Sequence, residues 1–253
     1  MKFLGVDLGW SSGKSGLCCL VWRGDRLYLD SSECKLDLDD IFAWIEAIAP
    51  RPQTALVAVD APTVIPNATG MREADKLTHK YFGRYHAGCY PANLNSRFAA
   101  RTVGFGCRLE ACGFAHAAQI EPKKPGRYQI EVFPHPATIA LFGLERILKY
   151  KKGKLGDRKP ELMKLRQYIV DRLPQLEPRL SLDTDCDLLR LKPADFNAEV
   201  ESFKGKQLKA LEDRLDALLC AYIGAYWWYW GRDRTWVFGD RASGYIVIPA
   251  IVN

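Results

Sequence analysis

Residues 1–12, MKFLGVDLGWSS, set an acid, Asp7, at the end of an apolar run and two residues before Gly9. A stretch such as Phe3 to Val6 reads as a buried strand, and a carboxylate has no low-cost place inside one. Asp7 is therefore either a turn former or part of a site that needs its charge. Gly13 and Gly16 follow, then LCCLVW, the turn RGD and RLYLDSSEC, which read as two further strands. Strands joined this tightly are antiparallel neighbours.

Further along, DLDDIFAWIEAIAP (37–50) opens with acids suited to a helix start, repeats Ile41, Trp44, Ile45 and Ile48 on one face, and stops at Pro50. TALVAVDAP (54–62) is a second buried strand ending in an aspartate, Asp60. Residues 67–127 carry few periodic signals and read as one helix followed by a long surface excursion. RYQIEVFPHPA (127–137) gives another apolar strand with an embedded acid, Glu131, and a helix starting after Pro136. Residues 145–205 are charged and partly helical, with LMKLRQYIVDRL the clearest amphipathic piece, and read as an insertion. GKQLKALEDRLDALLCAYIGAYWWYW (205–230) is a long helix, polar first and apolar later; TWVFGD and GYIVIPA close the chain as a hairpin. With no internal repeat and no low-complexity linker, the expectation is a single elaborated α/β domain over 1–253, with insertions at about 67–127 and 145–205.

The totals agree with a folded globular chain: 253 residues, 48% hydrophobic, with 36 basic against 30 acidic residues for a net charge of +6. That charge suits an anionic ligand without demanding one. Eight cysteines include no CxxC pair and no His/Cys cluster of zinc spacing, which points to a reducing compartment. Asp7 comes too soon for a signal-peptide apolar region of about 7–15 residues. The apolar end of the late helix falls short of the roughly 20 residues of a membrane span. A cytoplasmic protein with no membrane partner is expected; no obligate protein partner is evident, and the oligomeric state is open.

In open α/β sheets, functional groups gather outside the carboxyl ends of the central strands. Asp7 and Asp60 occupy that position on the first and fourth strands, which become neighbours if the intervening helix makes a right-handed crossover. Two carboxylates pressed together repel, and a divalent ion removes the conflict; magnesium or manganese prefers such oxygens. The late helix adds Asp213 and Asp216, three apart on one face. Each acid also has a structural reading: a turn for Asp7, a strand-end cap for Asp60, solvent exposure for Asp213, and an arginine salt bridge for Glu131.

GVDLGW, VAVDAP, IEVFPHPA and EDRLDALLCAY, in this order, resemble the predicted-nuclease family called domain of unknown function four-twenty-nine. The resemblance spans most of the chain, with 145–205 its least characteristic part. It implies a ribonuclease-H-like fold: a mixed five-stranded sheet, its first three strands antiparallel, flanked by helices. It also implicates Asp7, Asp60, Asp216 and Asp213 as metal ligands. Glu131 lies outside the positions that the wider superfamily uses, and is kept as a further catalytic candidate that could instead orient a basic residue.

The function expected on these grounds is metal-dependent hydrolysis of phosphodiester bonds by a two-metal mechanism with Mg²⁺ or Mn²⁺, on DNA or RNA. Arg72, His79, Arg84 and His86, interleaved with tyrosines, are candidate substrate-binding groups. A local ion pair of Arg72 with Asp75 is the alternative. His135, fixed between two prolines, could bind phosphate, act as a general acid, or simply form a turn. KYKKGK (149–154) reads as a phosphate patch or a solvated charge run. Two rival functions stand beside this one. GVDLGWSSGKSG also resembles the phosphate-gripping hairpin of sugar-kinase or actin-like ATP-binding proteins, and a member of the superfamily could bind nucleic acid without cleaving it.

Overall fold

The computed structural model describes residues 1–10 and 13–251. Alternation of side chains fixes its centre. β1 (Lys2–Asp7) pairs antiparallel with β2 (Ser15–Arg23), which pairs antiparallel with β3 (Arg26–Lys35). After α1 (Leu38–Ile48), β4 (Ala55–Val59) returns parallel to β1, in register from Lys2 beside Ala55 to Val6 beside Val59. Successive side chains of a strand point to opposite faces. Leu4 and Val6 pack with Val57 and Val59 against Ile41, Phe42 and Ile45 of α1. Phe3, Leu56 and Ala58 face the other way.

The chain then forms α2 (Glu73–Phe82), α3 (Ala99–Ala111), the two-residue β5 (Ala115–His116), β6 (Arg127–Glu131) and α4 (Pro134–Phe142). β6 lies parallel to β4, and β5 parallel to β6. Next come α5 (Leu155–Arg172), β7 (Arg179–Leu180), α6 (Asp187–Arg190) and α7 (Pro193–Ser202), followed by the long α8 (Gly205–Trp230). The chain closes with the antiparallel hairpin of β8 (Thr235–Asp240) and β9 (Gly244–Pro249). The main sheet runs β5-β6-β4-β1-β2-β3-β7 and is mixed, mostly parallel.

Seven strands stand where the sequence predicts five. The additions, β5 and β7, are two-residue pairs at the sheet edges, too short to leave a periodic signature. The excursion after residue 82 contains a full helix, α3, which the sequence reading missed. Its buried face is Ala99, Thr102, Phe105, Gly106 and Leu109, so small and polar residues blur the apolar stripe that would reveal it. In the 145–205 insertion, Leu162, Leu165 and Ile169 of α5 pack into the same core as α8, so this segment does cover one side of the sheet.

α8 lies directly on β1 and β2. A Cβ on Gly5 would come within 1.9 Å of the Ala217 carbonyl oxygen, and one on Gly16 within 1.9 Å of that of Asp213. No side chain larger than hydrogen allows the helix backbone this close. All eight cysteines are free thiols. Among the described residues no helix is long and apolar enough to cross a membrane.

Candidate active site

Parity and register bring the two strand-end acids together. Asp7 follows Phe3 and Gly5 on the α8 side of β1, and Asp60 follows Leu56 and Ala58 on the same side of β4. The Asp60 N–H donates to the Val6 carbonyl at 2.8 Å, which carries the strand register one residue past β4. α8, seated on Gly5 and Gly16, delivers Asp213 and Asp216 to the same edge. Asp216 is fully buried.

A cation from KYKKGK, which the sequence reads as a phosphate patch or a solvated charge run, joins them. Lys151, from the segment between α4 and α5, puts Nζ 2.8 Å from Asp216 Oδ2 and 4.0 Å from Asp60 Oδ2. Lys151 is the charge partner of the buried Asp216 Oδ2, which has no further donor among the described residues. The neighbouring Tyr150 hydroxyl donates to Asp216 Oδ1 at 2.7 Å. Burial works against the Lys151 ammonium, but Asp216 and then Asp7 prevail and hold its pKa well above that of a free lysine. Burial, with Asp216 and Asp60 adding repulsion against the pull of Lys151, raises the Asp7 carboxyl well above the carboxylate range. The same balance pushes Asp60 up to about 6. Burial and mutual repulsion therefore favour the protonated form of these acids, with Lys151 working against both. Asp213 is differently placed: Lys209 Nζ lies 2.6 Å from its Oδ1 and 2.7 Å from Glu212 Oε1, which neutralises it within the helix.

Glu131 does not meet these aspartates. It stands in register with Val59, one residue out of phase with Asp60, so its side chain leaves the opposite face of the sheet. There Arg72 Nη1 and Nη2 donate to its two oxygens at 2.8 and 2.7 Å. Arg72 also donates from Nε and Nη2 to Asp75 Oδ1 and from Nη1 to the Val64 carbonyl. These bonds use all five of its N–H groups, and Arg72 has none left for a phosphate. The ion pair held as the alternative is the arrangement present, and Glu131 orients a basic residue instead of joining the acids.

The remaining candidates divide. His135 lies beside the site, its ring centroid 5.6 Å from that of Tyr150 and its Nδ1 buried without a partner. Burial, reinforced by Lys151, lowers its pKa to about 4, so it is neutral near pH 7. His86 lines the cavity over the aspartates. His79 is exposed and bonded through Nε2 to the Cys89 carbonyl at 2.6 Å, and Arg84 is exposed against the Tyr85 ring at 4.6 Å. Neither His79 nor Arg84 lines the cavity. The sequence marks Tyr150 and Lys151 only within KYKKGK, as a phosphate patch or a solvated charge run, and does not mark Lys209. The signal available for the first two was a tyrosine inside a lysine run.

The cavity has a volume of about 780 Å³. Among the described residues no three acidic, imidazole or thiol side chains form a ready-made metal cage; the Lys151 ammonium stands among the carboxylates instead.

A family described as "Protein of unknown function (DUF429)" matches residues 5–242. No curated protein and no solved structure matches the chain.

Proposed function

The chain belongs to the DUF429 family, and we propose that it is a divalent-metal-dependent nuclease that hydrolyses phosphodiester bonds of nucleic acid. One observation carries the reading: Asp7, Asp60 and Asp216 meet at the carboxyl edge of the central strands, with Lys151 the only ammonium within 4.0 Å of Asp60 and Asp216 among the described residues. The order β3-β2-β1-β4-β6, antiparallel through the first three and parallel thereafter, supports a ribonuclease-H-like core with α8 as its acid-bearing helix.

The chemistry of the carboxylates, though not a cage already formed around an ion among the described residues, supports Mg²⁺ or Mn²⁺. Carboxylate oxygens are the hard ligands such ions prefer, and the Lys151 ammonium, 2.8 Å from Asp216 Oδ2, holds the place such an ion would take. Asp7, Asp60 and Asp216 would hold the ion, which would supply an activated water and charge stabilisation at the phosphate. Asp213, already paired with Lys209, is a supplementary position. The chain's own groups complete the chemistry. Tyr150 fixes the Asp216 carboxylate by its hydrogen bond. Lys151 stands where it can turn from the carboxylates to a phosphate oxygen. His135, uncharged near pH 7, lines the cavity where it can hydrogen-bond a substrate group.

Purified protein assayed with labelled DNA and RNA should cleave only when Mn²⁺ or Mg²⁺ is added. Asp7→Asn should lower that cleavage more than the 10–100-fold typical of losing an outer partner of a metal ligand, while Asp25→Asn, far out on the β2–β3 turn, should not change it. Unaltered metal-dependent cleavage in Asp7→Asn would overturn the reading.

A further inference from the structure

Asp7, Asp60 and Asp213 line the cavity, whereas Asp216 does not reach its surface. Asp216 has no exposed surface, and the Asp60 side chain is only 14% exposed. The cavity over them has a volume of about 780 Å³. Carboxylates this buried are reached more readily by a strand whose nucleotides can bend into the cavity than by paired nucleic acid, whose phosphates are held on a stiff helix.

The lining is of two kinds. Lys14, Lys149, Lys151 and Lys152 supply positive charge. Two large aromatic side chains also line it and remain open: Trp10, 37% exposed, from the segment joining β1 to β2, and Tyr90, 63% exposed, from that joining α2 to α3. Both rings are braced. Trp10 leans on Phe98 with centroids 4.4 Å apart, and Lys152 Nζ donates to the Tyr90 hydroxyl at 2.6 Å. Exposed, braced aromatic faces beside lysines are what base stacking along an unpaired strand requires.

We propose that the cavity receives an unpaired nucleic-acid strand, with one phosphodiester drawn toward Lys151 and the carboxylates and bases stacked on Trp10 and Tyr90. The inference rests on the nuclease reading for the class of ligand, and it makes Trp10 and Tyr90 the residues that select single strands over duplex.

The test is fluorescence anisotropy of the full chain, without divalent ion, with a labelled ten-nucleotide oligothymidylate and with a blunt-ended hairpin duplex of the same nucleotide count. The single strand should bind at least about tenfold more tightly. Trp10→Ala and Tyr90→Ala should each weaken it about fivefold or more, the low end for loss of one stacked base. The dependence on salt should stay the same, since no charge is removed. Trp10→Phe and Tyr90→Phe, which keep an aromatic face, should restore binding. Equal binding of the duplex, no loss in both alanine variants, or thymidine monophosphate binding as tightly as the decamer would each overturn the proposal. Because no cleavage is read, single-strand selectivity in a protein that never cleaves would sink the nuclease reading and leave this one standing. Metal-dependent cleavage with no such selectivity would do the reverse.

Discussion

At the scale of single residues, the site is decided by charge balance. Lys151 is the only basic side chain within 4.0 Å of Asp60 and Asp216 among the described residues, and an ammonium there competes with a divalent ion for the same oxygens. Lys151→Met should therefore raise Mn²⁺ affinity, by about tenfold for loss of one nearby unit charge at an effective dielectric between protein and water, as read by calorimetry. An affinity unchanged or lowered would show that Lys151 does not share the ion's place. Asp60 gives a second expectation. Its carboxyl is raised from 3.8 to about 6 in the fold, chiefly by burial, so between those values the native state binds more protons than the unfolded chain. Stability then falls as pH rises through this window, the opposite of a salt-bridged acid. In metal-free protein, Asp60→Asn should gain stability relative to the parent as pH goes from about 4 to about 6, as measured by urea unfolding. A constant difference across that range would contradict the burial of Asp60 as a strained acid.

At the scale of elements, the decisive contact is α8 on the β1–β2 hairpin. The helix bears Asp213 and Asp216 only one turn from the points where its backbone meets Gly5 and Gly16, so the separation of helix and sheet sets the separation of the acids. Gly5→Ala places a methyl group 1.9 Å from the Ala217 carbonyl oxygen, a clash with backbone that no side-chain rotation relieves. It should destabilise the protein by about 3 kcal/mol, the upper end of the cost of overpacking, and reduce any metal binding along with it. A fully stable Gly5→Ala protein would mean that α8 is not held against the strand. Arg72 exerts an element-scale constraint elsewhere. It ties the start of α2 to the end of β6 through Glu131, and its second partner Asp75 accepts the Ala92 N–H at 2.9 Å. The loop that carries Tyr90 is thereby anchored close to its free ring.

At the scale of the whole molecule, much of the framework was legible in the chain. Three tight antiparallel strands, a helix stopped at Pro50, a buried strand ending at Asp60 and a helix spanning Gly205–Trp230 all follow from local periodicity and turn chemistry. Local pattern also placed Asp7 and Asp60 at strand ends. It could not see α3, whose buried face includes Gly106 and Thr102, nor the edge strands of two residues. Glu131 marks the limit on the acids themselves. An acid in an apolar strand announces that it has a partner, but whether it joins Asp60 or turns to Arg72 depends on the register between β4 and β6, and that is settled by pairing across the sheet. The sequence by itself determined the elements and the residues that cost too much to bury alone, because periodicity and desolvation are properties of a short stretch. Only the tertiary structure decided which of those charges meet, and that Lys151 and Tyr150 meet them, because such contacts join segments from residue 7 to residue 216 and exist only once the chain has closed on itself.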